Sequence, residues 1–172
     1  PQHSYFLPHG YPLEKHMNAV VQAIGKETFT LLQIVPRRGT SFELGEEAYI
    51  GQGKREKVLF IKGRLHREDL TETAKNQLRE VIETRVKENE QKFVDFFNKA
   101  QPMNTRLHQF ELLPGFGKKH TKAIVDARNE KPFESFEDLR QRVTSIPNPK
   151  SAVEKRIYLE LTEMQRNNLF IQ

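Results

Sequence analysis

The chain has 172 residues, with 28 Lys and Arg against 23 Asp and Glu, six His, no Cys and no Trp, and a formal net charge of +5. That length suits one medium domain or two small ones, and the missing Cys exclude a disulfide framework, a thiolate zinc site, an iron-sulfur cluster and a thiol nucleophile. The basic balance favours a polyanionic partner, and with neither an apolar run of about 18 residues nor a signal-type N-terminus, a cytoplasmic protein without membrane contact is expected. The chain opens on Pro, so its true start is expected upstream or processed away. Lys and Arg exceed Asp and Glu over 1–70 and 102–172 but balance them over 71–101, so the ends are the basic parts.

Residues 1–16 are rich in Pro, Gly and aromatics without periodicity and read as an extended arm. Its Tyr5, Phe6 and Tyr11 either pack onto the fold or stack on a ligand. Residues 17–70 hold short β-rich runs bounded by turn chemistry. A hairpin is expected from 17–24 and 28–35 around Gly25-Lys26-Glu27, with further strands at 46–50 and 57–65. Four or five antiparallel strands in so short a stretch suggest a small closed or half-closed barrel. Strand alternation over 57–65 places Val58, Phe60, Lys62 and Arg64 on one side and Leu59, Ile61, Gly63 and Leu65 on the other. With Arg37 and Arg38 in one loop and Lys54 and Arg55 in another, cations gather at strand ends, where a small barrel holds single strands. A solvated edge protected by charge explains them equally well.

The period changes at Thr71. Ala74, Leu78, Val81, Ile82 and Val86, then Phe93, Phe96 and Phe97, recur at three and four residue steps, giving two amphipathic helices or one bent one over 71–101. The three Phe are read as core.

Residues 102–172 carry the informative stretch, Leu112-Leu113-Pro114-Gly115-Phe116-Gly117-Lys118-Lys119-His120. A helical pattern in Leu107, Phe110 and Glu111 stops at Pro114, and a second begins at Lys118. Gly115 and Gly117 permit positive φ and close approach of another backbone, and Phe116 plugs the groove between the helices. Uncommitted N–H groups at a helix start, beside Lys118, Lys119 and Lys122, suit a phosphate. The stretch resembles the helix-hairpin-helix family of sequence-independent nucleic-acid binders, with Ala123-Ile124, Arg128 and the Pro132-to-Leu139 segment extending the match. Thr121 departs from it, standing where most members place Ala at the closest helix contact. A second, degenerate hairpin is expected from 139–143, 144–149 and 150–161. Ser145 and Pro147 replace its glycines, so Lys150 acts there by charge alone.

The phrase Phe42-Glu43-Leu44-Gly45-Glu46-Glu47-Ala48-Tyr49-Ile50-Gly51 resembles the start of the third strand in oligonucleotide-binding (OB) barrels. Nearly the whole chain, including Leu7-Pro8-His9-Gly10-Tyr11-Pro12 and Lys62-Gly63-Arg64-Leu65-His66-Arg67, resembles an archaeal family of uncharacterised proteins with this order of parts. The resemblance implies RNA or nucleotide binding, connected with ribosome, transcription or translation components.

The expected fold is therefore α+β: an N-terminal OB-like antiparallel barrel followed by a helical helix-hairpin-helix domain. The expected function is non-catalytic RNA binding through the phosphate backbone, with no cofactor and no metal. A DNA repair or recombination accessory and a protein-interaction adaptor, docking through Phe116 and the helical linker, are the alternatives. Lys119 with Glu137 or Asp138 matches the lysine-to-carboxylate spacing of helix-hairpin-helix glycosylases. Those acids, however, follow Ser135 as a helix cap, and the domain is too small to enclose a flipped base.

Overall fold

A computed structural model of the chain describes the backbone of 3–10 and, with side chains, 19–172. The fold is α+β. In chain order it runs β1 (His3–Gly10), β2 (Val20–Gly25), β3 (Leu31–Pro36), β4 (Glu47–Tyr49), β5 (Val58–Arg64), α1 (Glu72–Glu88), α2 (Glu90–Lys99), α3 (Lys118–Glu130), α4 (Phe136–Arg142) and α5 (Pro149–Thr162). It divides into one unit of Pro1–Val81 with Glu160–Gln172 and a second of Ile82–Leu159. Among the described residues no helix is long and apolar enough to cross a membrane.

In the first unit the strands form one antiparallel sheet of order β4-β1-β2-β3-β5. Two expectations are corrected. Residues 3–10 are extended as read, but they form a sheet strand between β2 and β4 rather than an arm. The ladder to β2 shifts register between Leu7 and Gly10, the stretch holding Pro8, which has no N–H to give. The side chains of Tyr5 and Phe6, and Tyr11 altogether, lie outside the described residues. The sheet is also open, because β4 and β5 are its two edges and do not pair with each other among the described residues. Apolar Val21, Ala23, Ile34, Ile50 and Val58 make a core on it, with Phe42 and Ile61 packed against them. Residues 28–30 belong to the turn rather than to β3, since the Gly25 N–H donates to the Thr30 carbonyl (2.8 Å) and Phe29 takes φ +56°.

The alternation read over β5 fails for a visible reason. Register shifts lie between Gln33 and Ile34 and between Val35 and Pro36 of its partner, leaving Lys62 and Leu59 as extra residues on β5. Each such bulge resets which face the next residue takes. Leu59 (45% exposed) and Phe60 (43% exposed) are consequently both turned to solvent, where alternation puts them on opposite sides.

The C-terminal segment returns to this unit through Glu160. Its buried carboxylate accepts N–H bonds from Leu169, Phe170 (3.0 Å) and Ile171 (2.9 Å). Charge-assisted bonds of this kind are the stronger ones. Replacing Glu160 by Gln is expected to lower stability by about 1–2 kcal/mol and to speed amide hydrogen exchange at 169–171, read residue by residue by NMR.

The second unit begins within α1, at Ile82, and α1 and α2 are two helices broken at Asn89, which leaves helical geometry at φ −119°, ψ 38°. Phe93 and Phe97 are buried core, as their spacing predicts. Arg128 donates to the carbonyls of Phe97 (3.2 Å) and Ala100 (2.8 Å), closing the end of α2. Asn98 exchanges two bonds with the Phe133 backbone (2.8 and 2.9 Å), and Arg142 donates to the carbonyls of Ala127 and Lys131 (both 2.6 Å).

Candidate nucleic-acid interface

The glycine-rich turn is built by its own residues. Leu113 through Phe116 form a reverse turn in which the Phe116 N–H donates to the Leu113 carbonyl (3.1 Å), with Pro114 second and Gly115 third at φ +82°. That is type II geometry, which favours Pro and then Gly at these positions. Phe116 is 7% exposed and faces Phe97 (6.4 Å between ring centroids) and His120 (5.7 Å). As expected it plugs the interior, so it cannot serve as the docking residue of an adaptor.

Three departures from the sequence reading bear on chemistry. The limb before the turn is not a helix but a short 3-10 segment, Gln109–Leu112, capped by His108. Residues 101–108 instead form a tight loop in which Asn104 Oδ1 accepts the Arg106 and Leu107 N–H groups (2.8 and 2.9 Å). Gly117 has φ −128°, within reach of any residue, so only Gly115 needs the left-handed region. The Gly117 N–H, moreover, is committed, donating to His120 Nδ1 (2.9 Å). The N–H groups of Lys118, Lys119 and His120 remain, by position, the donors of the first turn of α3. Thr121 fits without strain because its hydroxyl donates to the Gly117 carbonyl (3.0 Å).

The lysines differ from one another. Lys118 Nζ donates to the Arg106 carbonyl (2.6 Å) and lies 3.3 Å from Glu111. Glu111 is held below the usual carboxylate range, first by the His108 N–H it accepts and then by Lys118. Lys122 pairs with Asp126 (2.7 Å), which raises its pKa. Lys119 is exposed and has no partner among the described residues. The second turn lies beside the first, since a Cβ on Gly115 would sit 3.4 Å from Pro147 Cγ. Asn148 Oδ1 accepts the Ser151 N–H (3.1 Å) at the start of α5, and Lys150 lies 3.6 Å from Glu154. Asp138, the suggested catalytic carboxylate, accepts the Glu134 N–H and an Arg142 bond, and its own N–H is capped by Ser135 (2.9 Å).

In the first unit the structure brings the two basic loops together. Arg37 Nε donates to the Arg55 carbonyl (2.9 Å), and Arg55 Nε to the Gly51 carbonyl (2.8 Å). Lys57 bonds both the Ser41 carbonyl and the Glu46 carboxylate, holding Glu46 below the usual range. Arg38 and Lys54 are exposed beside them without partners among the described residues, as are Lys62 and Arg64 on edge strand β5. What the sequence missed is that Phe60 stands exposed on that same strand.

A family model described as "Protein of unknown function (DUF655)" matches residues 4–172. The chain is 40% identical over 166 residues to the uncharacterized protein MJ0038 of Methanocaldococcus jannaschii, covering 96% of this chain and 75% of that protein. It is similar, at 41% identity and TM-score 0.85 over the full length of both chains, to the crystal structure of Af1531 from Archaeoglobus fulgidus.

Proposed function

The chain belongs to the DUF655 family of proteins of unknown function, and we propose that this member is a non-catalytic RNA-binding protein of the cytoplasm. The observation that carries the reading is the exposed Gly115 at φ +82° next to the first-turn N–H groups of α3 and the unpaired Lys119. A phosphate there meets several donors and the positive end of a 13-residue helix. In this reading the segment works as a helix-hairpin-helix despite its short first limb. The turn next to Pro147 is its degenerate second copy, contributing Lys150 as a charge.

The open sheet is the second contact surface, in the manner of an OB fold. Phe60 stacks a base while Lys62, Arg64, Arg38 and Lys54 meet the backbone, with Arg37 and Arg55 bracing the loops that present them. RNA is preferred over DNA, and components of the translation machinery are the expected setting, because the order of parts resembles a family for which both are implied.

Titration with single- and double-stranded RNA and DNA over a range of salt tests this. Affinity is expected to fall steeply with salt, and Lys119→Ala to lower the slope of log K against log salt by roughly one unit, uniformly across sequences. Lys118→Ala should change it less, its ammonium being held by Arg106 and Glu111. A salt-independent affinity for nucleic acid, or none, would overturn the reading, and tighter binding to DNA would move it to the repair alternative.

A further inference from the structure

Beside α3, within the second unit, lies a cavity of about 510 Å³ between that helix and the 101–108 loop. That volume falls in the roughly 300–1,000 Å³ range of small-molecule sites. Arg106, Lys118, Lys122 and Arg128 line it against only two carboxylates, Glu111 and Asp126. Its wall also includes His108, which is 8% exposed. His108 Nδ1 accepts the Phe110 N–H (3.1 Å), so the proton resides on Nε2. That Nε2–H is buried and has no partner among the described residues. A buried donor left unpaired is costly in a native fold.

We propose that this cavity binds the terminal phosphate monoester of a nucleotide, with His108 Nε2–H and the side chains of Arg106 and Lys122 as its ligands. A monoester carries about −1.5 to −2 charges near neutral pH, more than the single charge of an internal phosphodiester. It therefore matches the surplus of cations better than the backbone of a strand does. The Arg106 side chain has no partner among the described residues, and that of Lys122, though paired with Asp126, is exposed. Both side chains are long enough to rearrange around a phosphate entering beside His108. The remaining cations are fixed: Arg128 by two carbonyls and Lys118 by Arg106 and Glu111. The space left beyond one phosphate accommodates a sugar and a base. The ligand is either a free nucleoside monophosphate or the phosphorylated end of an RNA strand. The second source rests on the RNA-binding reading above.

The experiment is a titration of the full chain with four probes: a nucleoside monophosphate, the matching nucleoside, and one oligoribonucleotide with and without a terminal phosphate. The phosphorylated member of each pair is expected to bind at least about tenfold more tightly, the scale of one or two charge-assisted hydrogen bonds. Arg106→Ala and Lys122→Ala should each reduce that preference. His108→Asn, which keeps an acceptor for the Phe110 N–H but loses the Nε2 donor, should do so as well. Arg106 is on an exposed loop, so its variant tests the site even if His108→Asn fails to fold. Lys119→Ala should weaken both oligonucleotides equally. Oligonucleotides that bind alike with and without the phosphate, together with a monophosphate that binds no better than its nucleoside, overturn this inference while leaving RNA binding standing. A monophosphate preference with no binding of either oligonucleotide supports the cavity and overturns RNA binding instead.

Discussion

Phe97→Ala is expected to cost the second unit about 3–5 kcal/mol, the range for truncating a fully buried aromatic. Phe97 has no exposed surface and is the hub of the aromatic core. Its ring stacks on Phe110 (5.6 Å, 18°), meets Phe96 and Phe136 edge-on (5.4 and 6.2 Å), and lies 6.4 Å from Phe116. Its carbonyl accepts one of the two bonds from Arg128. The loss is a large share of the roughly 5–15 kcal/mol that holds a typical domain together. At about 2–4 °C per kcal/mol for a chain of this size, the midpoint should fall by roughly 6–20 °C. Phe97→Leu, which fills most of the space, should recover much of it. Because Phe116 loses a neighbour, the turn that follows Leu113 should loosen too, and oligonucleotide affinity should fall in step with stability across the two variants. Thermal melts by near-UV circular dichroism, run beside the titrations, check both. A truncation that leaves the midpoint within a degree or two would mean that the Phe cluster is not what organises this unit.

The Phe cluster and the turn were legible because they are local. Three and four residue spacing places Phe93 and Phe97 on one helix face, and Pro114 followed by Gly115 specifies its turn with no help from the rest of the chain. The order of helix, turn and helix over the last third was legible for the same reason: α4, the turn after it and α5 fall close to where the pattern put them. What the sequence hid is non-local pairing. Nothing in residues 3–10 announces that they lie between β2 and β4, and Pro8 argues locally against it. The bulges in β5 depend on its register with β3, so the exposure of Leu59 and Phe60 could not come from alternation alone. Lys118 reads like Lys119 in the sequence, yet Lys118 is tied to a carbonyl twelve residues earlier and Lys119 is not. His108 gave no signal as a site residue because its importance lies in a nitrogen that the fold buries without a partner. The one available hint was its spacing to Glu111, the reciprocal helix-start pattern in which the Glu111 carboxylate takes the His108 N–H (2.8 Å).

Gly117→Ala is expected to leave the fold intact and to weaken RNA binding at least tenfold, while Gly115→Ala loses both stability and binding. Gly117 has φ −128° and ψ −169°, which alanine adopts freely, and a Cβ there would find His120 Nδ1 at 4.0 Å and nothing closer. The loss of backbone freedom in the unfolded chain offsets the weaker helix start that alanine provides, so the melting temperature should scarcely move. Gly115 sits at φ +82°, where an added Cβ costs about 1–2 kcal/mol, and it would press on Pro147 Cγ at 3.4 Å. Its midpoint should drop by roughly 2–8 °C. The binding effects differ in origin. In the proposed reading a methyl on Gly117 holds a phosphate oxygen away from first-turn donors of α3 that need about 2.9 Å, whereas one on Gly115 distorts the turn that presents them. Charge-assisted bonds lose most of their strength when stretched, and a loss of about 1.4 kcal/mol is already tenfold. Melting curves and RNA titrations of the two variants beside the parent chain decide the matter. If Gly117→Ala binds as the parent does, the turn is a structural corner, and recognition of nucleic acid rests on Phe60, Lys62 and Arg64 along the edge of the sheet.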